Sequence, residues 1–473
     1  MGNRKTKIVA TLGPTTSSYK EIKNLILSGV DVIRINASHG NEKDNQQKVD
    51  FVKKVRKSLG NRALPIMLDT RGPEIRIGKF ENDKVHLTKN STFIFTADQN
   101  FLGTQEKVAI KQAEIIKSIK VGHTILACNG LISFKVISVS KDEIICKVRN
   151  GGELMNNKSL FIPNLEYCMP YLNDEDKADL LWAIKNNIEY IAASFISSKN
   201  DIFELRKFMQ DNNANIEIIA KIENKLAVKN LDEIIESADA IMVARGDLGV
   251  EIAQEKLPEL QKTIIKKSHL AGKMVITATE MLESMIYSPR PTRAETSDVA
   301  NAVYDGTSAV MLSGETAIGK YATSAVTTMA KICLEAEKNI DFKDRFKNRE
   351  LINPDVADVM SDAAVHVSFM LKEIKAIAVY TDSGHTAKML SRFYPSCPIL
   401  AFTPNELPYH RMGMVWGVQP ILSGKCDTAD ELIQTINSLF VKNKIAKVGD
   451  TILIGSGSRT PSSTDMIKIH KIV

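Results

Sequence analysis

The chain opens on short runs of Val, Ile and Leu, each ending in polar or glycine-containing turns and followed by a longer stretch with helical spacing. That alternation is the mark of repeated β-α units with parallel strands. Three such runs come first: KIVATLGP (Lys7 to Pro14), DVIRINASHG (Asp31 to Gly40) and LPIMLDTRGP (Leu64 to Pro73). Helical stretches such as YKEIKNLILSG separate them. From Arg71 to Cys168 the period changes to short alternating strands between turn residues, which predicts an inserted β-rich domain over 71–168. The β-α rhythm then resumes with a capped helix, Asp174 to Asn187, and five more strands. These are EYIAASFI (Glu189 to Ile196), IEIIAKIE (Ile216 to Glu223), ADAIMVARGDLG (Ala238 to Gly249), GKMVITATEML (Gly272 to Leu282) and TSAVMLSG (Thr307 to Gly314).

Three strands before the insert and five after it predict a (β/α)8 TIM barrel, split between 1–70 and 169–345. A helix around Thr323 to Asn339 closes it, and the charged DFKDRFKNRE reads as a linker. A further alternation (AIAVYT, PILAFT, GVQPIL, DTILIGSG) predicts a C-terminal α/β domain with an open sheet over 346–473.

Composition narrows the function classes. With 473 residues, 44% hydrophobic and 25% charged, the chain reads as ordinary globular protein of more than one domain. The charge of +6 is spread without a dense arginine run, which argues against a nucleic-acid partner. No apolar stretch is long enough for a membrane span or a signal peptide, and the six cysteines show no C-x-x-C spacing. Together these predict a reducing, cytoplasmic setting without membrane association.

Polar side chains collect where barrel loops build active sites, at the C-terminal strand ends. In IEIIAKIE, Lys221 and Glu223 are two apart on a buried strand, so they share one face. A structural ion pair is the plain alternative, but a buried pair is costly and weak evidence for stability alone. In ARGDLG, Gly246 allows close backbone approach, and Asp247 adds a carboxylate on the neighbouring strand. Two carboxylates beside a lysine suit Mg²⁺ and phosphoryl oxygens. In ITATEML the alternation puts Thr277 and Thr279 on one face, with Thr279 nearest the rim and placed for proton relay. Arg34, Asn36 and Ser38 alternate in RINASHG, and Asp69 and Thr70 end the third strand. These hard oxygens suit a monovalent cation, with turn chemistry as the plain reading, and Arg34 suits phosphate. His39 alone reads as a loop histidine. In the C-terminal half, TDSGHTA lies between a strand and a helix, where Thr381, Ser383, Gly384, His385 and Thr386 would form a phosphate cradle.

In this order RINASHG, LDTRGPEIR, AKIEN, IMVARGDLGVEI, ATEMLESM, PRPTRAE, DVANAVYDGTSAVMLSGETAIGKY and TDSGHTA resemble the pyruvate kinase family across essentially the whole chain. The resemblance implies transfer of the phosphoryl group of phosphoenolpyruvate to ADP, giving pyruvate and ATP through a Mg²⁺-stabilised enolate that is then protonated. It implies Lys221, Thr279 and Arg34 as catalytic residues, with Gly246 and Asp247 also binding substrate. Glu223 and Asp247 would hold Mg²⁺ (or Mn²⁺), and Asn36, Ser38, Asp69 and Thr70 would hold K⁺. Glu74 matches the cation-requiring form of the family, where cation-independent members carry lysine. Asn36, His39, Arg76 and Lys158 align with nucleotide-contacting positions.

The 71–168 insert would act as a lid that excludes water, hinged near Arg71 and Cys168 to Pro170. The TDSGHTA cradle, closed by the loop from Gly455 to Thr464 with Arg459, would take a sugar-phosphate or nucleotide effector. A homotetramer is implied too. Ala37, Arg71, Glu280 and the segment NKSLFIPN depart from the family pattern. Those departures keep a catalytically silent metabolite sensor in view, and the Lys, Glu and Asp at one rim would also serve a lyase acting on an enolate of pyruvate.

Overall fold

The computed structural model describes residues 4–163, 165, 170–351, 355–442, 447–456 and 464–473. Eight parallel strands close into a barrel: Lys7–Thr11, Val32–Asn36, Ile66–Asp69, Tyr190–Ala193, Glu217–Ile222, Ala240–Ala244, Met274–Ala278 and Ala309–Leu312. Each pairs with its sequence neighbours, and the last closes onto the first, Lys7 lying opposite Ala309. The apolar runs in the sequence are these strands, buried on both faces. Val9, Val32, Met67, Tyr190, Ala192, Ile219, Met242, Ile276 and Met311 fill the interior, while the alternate positions pack outward against the helices.

The helices begin and end where local chemistry dictates. Ser18 Oγ accepts from Glu21 N at 3.3 Å and Glu21 answers Ser18 N, which starts Tyr19–Ser28. Thr292 and Glu295 do the same for Arg293–Asp305, which stops at left-handed Gly306. Asn173 caps the helix Asp174–Lys185, two residues shorter at its C-terminus than the sequence pattern suggests.

Between the third and fourth barrel strands the insert builds a seven-stranded sheet running in space from Ile75–Arg76 through Ser159–Phe161 to Lys107–Ala109. A separate ribbon pairs Lys84–Leu87 with Gly152–Met155. Phe93, Phe95 and Phe134 cluster on the seven-stranded sheet with ring centroids 5.1–5.7 Å apart.

The C-terminal sheet has the order Val418–Leu422, Ile399–Thr403, Ile374–Tyr380, Thr451–Ser456, Met466–Lys471. Its last strand is antiparallel and lies on MIKIHK, whose alternation the sequence reading did not single out. The linker reading of DFKDRFKNRE is also corrected. Asp341 caps a short helix, Phe342–Lys347, that buries Phe346 against Phe369 and Phe393.

Candidate active site

Counting two residues onward from the interior Val9, Val32, Met67, Ala192 and Ile219 reaches Thr11, Arg34, Asp69, Ser194 and Lys221. The barrel interior is therefore apolar below and charged at its C-terminal rim. Lys221 Nζ lies 3.0 Å from Asp69 Oδ1, 2.8 Å from Glu223 Oε1 and 2.7 Å from Ser194 Oγ. Arg34 Nε donates to Asp69 Oδ2 at 2.7 Å and its Nη1 to Thr11 Oγ1 at 2.9 Å.

The electrostatics follow from burial and pairing. Burial works against the Lys221 ammonium, but Asp69 and Glu223 outweigh it and raise its pKa above the ordinary lysine range. Burial opposes the Asp69 carboxylate too, yet Arg34 and Lys221 hold its pKa below the ordinary value. At Glu223 burial prevails over Lys221, with Asp247 adding, and pushes the pKa up to about 7. Burial likewise raises Asp247, which is in hydrogen-bonding reach of Glu223. Glu223 Oε2 accepts from Phe195 N at 2.7 Å, whereas Oε1 receives no hydrogen bond of good geometry and meets only the lysine charge. Two buried carboxylates in contact, one with an unsatisfied oxygen, are a donor set that a hard divalent cation fits. Among the described residues no group of three or more His, Cys, Asp or Glu side chains has the geometry to hold a metal ion without further ligands.

Thr279 reaches this group by a route other than the one the alternation predicted. Its strand ends at Ala278, and Thr277 turns outward to Thr307 Oγ1 at 3.0 Å. Thr279 and Glu280 then take left-handed backbones (φ 67° and 54°), which swing the Thr279 hydroxyl to 2.9 Å from Gly246 N. Arg245, buried beneath, donates to Thr279 O at 2.6 Å and to Asp298 Oδ1 at 2.8 Å, fixing that turn. The same geometry leaves the Glu280 side chain exposed, and its charge acts on Glu283.

The cation candidates sit beside these groups. Ser38 N donates to Asn36 Oδ1 at 2.9 Å, the turn contact that the plain reading anticipates. Thr70 Oγ1 accepts from Ser194 N at 3.1 Å, and Ser194 Oγ donates to Thr70 O at 2.7 Å. Ser194 thus joins Thr70, Asp69 and Lys221, and sequence reading missed it. Its sequence trace, a hydroxyl just past an Ala-Ala strand end, is, like that of Thr11 at its own strand end, no different from a turn residue's. Asn36, Ser38, Asp69 and Thr70 offer neutral and acidic oxygens suited to a monovalent cation.

A cleft of about 1010 Å³ opens between this rim and the insert, lined among others by Ser38, Arg71, Glu74, Arg76, Lys79 and Lys177. Arg76 donates to Glu74 and to Asn157 O, and Ser159 Oγ holds the other Glu74 oxygen. Lys158 precedes the strand Ser159–Phe161, which pairs with Ile75–Arg76, so Arg76 and Lys158 lie at one edge of the insert. His39 is exposed at the rim; partial desolvation and the neighbouring Arg76 and Arg34 lower its pKa. Where the barrel passes into the insert, Arg71 Nε donates to Asp179 Oδ2 at 2.9 Å, and Gly72 N donates to Asp176 Oδ1 at 3.0 Å. Gly72 has φ +66°, and a Cβ there would meet Ser194 O at 2.7 Å.

The TDSGHTA segment lies between Ile374–Tyr380 and the helix His385–Ser391. Thr381 Oγ1 accepts from Gly384 N at 2.9 Å, and Ser383 Oγ accepts from His385 N at 3.3 Å. The hydroxyls of Thr386 and Thr464 are 2.8 Å apart. Arg459 and Cys168 lie outside the described residues. The five described cysteines are free.

A barrel rim with a buried lysine, paired carboxylates, a hydroxyl and an inserted domain beside the cleft defines a barrel phosphotransferase. Comparison with known proteins gives the family. Residues 3–326 match the pyruvate kinase barrel domain and residues 358–470 the pyruvate kinase alpha/beta domain. Pyruvate kinases of Geobacillus stearothermophilus and Clostridium acetobutylicum are each 41% identical over 99% of the chain, covering 80% and 100% of those proteins. A solved pyruvate kinase from Cryptosporidium parvum superposes with a TM-score of 0.93 at 34% identity, covering all of this chain and 97% of that one. The chain belongs to the pyruvate kinase family, the phosphotransferases that convert phosphoenolpyruvate to pyruvate. Neither the sensor nor the lyase reading survives that assignment.

Proposed function

We propose that the rim around Lys221 carries out phosphoryl transfer from phosphoenolpyruvate to ADP and then protonation of the enolate. The observation that carries this reading is the Lys221 ammonium, buried at the barrel rim and held by Asp69, Glu223 and Ser194. A fully charged, immobile ammonium stabilises negative charge on a transferring phosphoryl group and on the enolate oxygen without reorganising. Arg34, oriented by Asp69 and Thr11, adds a second positive group for phosphate. The Gly246 amide and the Thr279 hydroxyl face one another, so substrate would meet both, and Thr279 supports proton delivery to the enolate methylene, directly or through water.

Glu223 and Asp247 would hold Mg²⁺ (or Mn²⁺), which supplies charge neutralisation and a template for substrate oxygens. Asn36, Ser38, Asp69 and Thr70 would hold K⁺, with Glu74 as the residue that sets the requirement. The ADP side of the cleft is assigned to Asn36, His39, Arg76 and Lys158. The insert serves as the lid, hinged near Arg71 and at 168–170, and we take the domains as 1–70 with 169–345, 71–168 and 346–473. Among the described residues no helix is long and apolar enough to cross a membrane, and we place the enzyme in the cytoplasm as a homotetramer. The cradle at Thr381, Ser383, Gly384, His385 and Thr386, with Arg459, is assigned to a sugar-phosphate or nucleotide effector.

Lys221→Met tests the central role. It should lower phosphoryl transfer by at least about a thousandfold while circular dichroism and the unfolding midpoint show a folded chain. Turnover within about tenfold of the parent would show that the lysine is not the charge-stabilising group.

A further inference from the structure

A second cavity, of about 410 Å³, lies away from the active cleft on the seam between the barrel and the C-terminal domain. Its cations come from three elements: Lys262 and Lys266 from the barrel helix Leu257–Leu270, Arg345 and Arg349 from the linker helix and its end, and Arg392 from the C-terminal domain. Three of these are already committed. Lys262 pairs with Asp305, Arg349 holds both oxygens of Asp362, and Arg392 Nη1 donates to Asp358 Oδ1 at 2.6 Å. Lys266 and Arg345 form no ion pair among the described residues. Arg345 donates to Tyr304 O at 2.5 Å, and Asp305 acts on its charge from beyond ion-pair distance, while Lys266 is exposed.

Two carboxylates line the same cavity. Asp305 is only 8% exposed and engaged by Lys262 and Gln261, while Glu350 is exposed at the chain's exit from the linker. Lys266 and Arg345, the two lining cations without an ion-pair partner among the described residues, therefore offer positive charge to the cavity, with the pinned Arg392 beside them.

We propose that this seam cavity is a binding site for a small, non-aromatic phosphate ester, gripped by Lys266 and Arg345 and bridging the barrel to the C-terminal domain. The volume suits a phosphorylated metabolite of a few carbons. The lining rings offer a base no ready platform: Tyr394 has His269 tilted against it at 4.5 Å and the Arg345 guanidinium over it at 4.8 Å, and Phe346 and Phe393 are buried beneath the guanidiniums of Arg349 and Arg392. Because the ligand would touch both sides of the seam, its binding would tighten the contact between the two domains.

Site-resolved acylation tests the assignment on the full chain. With a lysine-acetylating reagent and peptide mass spectrometry, inorganic phosphate and glycerol phosphate should each slow modification of Lys266 with saturation, while the exposed Lys20 reacts at an unchanged rate. Glycerol phosphate should protect at lower concentration than AMP. Arg345→Gln should shift half-protection upward by about tenfold, and Arg345→Lys by less. Sodium chloride at matched ionic strength should protect much less. Unaltered Lys266 reactivity at any phosphate concentration, equal protection by chloride, equal protection in Arg345→Gln, or tighter protection by AMP would each overturn the proposal.

Discussion

At the residue scale the site's charge balance rests on carboxylates that lack a full complement of partners. Glu74 adds to that negative field, since its charge raises Asp247 further after burial has done so. A carboxylate here favours a nearby monovalent cation, whereas a lysine would supply the positive charge itself. Glu74→Lys is therefore expected to turn over without K⁺ at a rate comparable to that of the parent with K⁺, read by pyruvate formation at fixed Mg²⁺. An unchanged K⁺ requirement would remove Glu74 from that role. The Lys221–Glu223 contact was legible because a two-residue spacing on a buried strand leaves only one face for both. The route of Thr279 was not, because the left-handed turn after Ala278 overrides the alternation that placed it beside Thr277. Ser194 and Thr11 escaped notice because a single hydroxyl after an apolar run is indistinguishable from a turn residue until the barrel brings five strands together.

At the scale of elements, the barrel strands and several of the barrel helices could be read from period and capping residues, since both are local. The linker helix could not. Its segment DFKDRFKNRE is mostly charged, and the one residue that decides its structure, Phe346, finds its partners Phe369 and Phe393 well along the chain. Phe346 is 4% exposed. Phe346→Ala should cost about 3–5 kcal/mol, measured as a drop in the urea or thermal midpoint, where a true linker would show almost none. The terminal strand Met466–Lys471 was overlooked for a related reason. Its alternate positions are only partly buried, so its apolar contrast is weak, and its pairing partner Thr451–Ser456 precedes it across a loop.

For the whole molecule, the division into barrel, insert and C-terminal sheet was visible as changes of period along the chain, but the seam between barrel and C-terminal domain was not. Two histidines mark it. His410 Nδ1 accepts from Leu64 N at 3.4 Å, and His269 Nε2 lies 3.1 Å from Gly306 O beneath Tyr394. Burial lowers both to about 3, with Arg56 adding at His410 and Arg345 and Arg392 at His269. Both are neutral when folded but would protonate near their ordinary value once unfolded, so the unfolded chain takes up more protons below about pH 6.5. Their contribution is present in full above that pH and is lost as pH falls toward 3. Between pH 6.5 and 5 each histidine should remove up to about 1.4 kcal/mol per pH unit. Urea unfolding across that window should show a slope that flattens in His269→Asn with His410→Asn; an equal slope in the double variant would place the titration elsewhere.

The most direct measurement of the central claim is pyruvate formation from phosphoenolpyruvate and ADP, followed by a coupled reporter, with Mg²⁺ and with or without K⁺. Turnover that requires ADP and Mg²⁺ and rises strongly with K⁺ is the result predicted for the rim formed by Lys221, Glu223, Asp247 and the cation ligands. A folded chain that forms no pyruvate under those conditions, or forms it without ADP, would contradict the account.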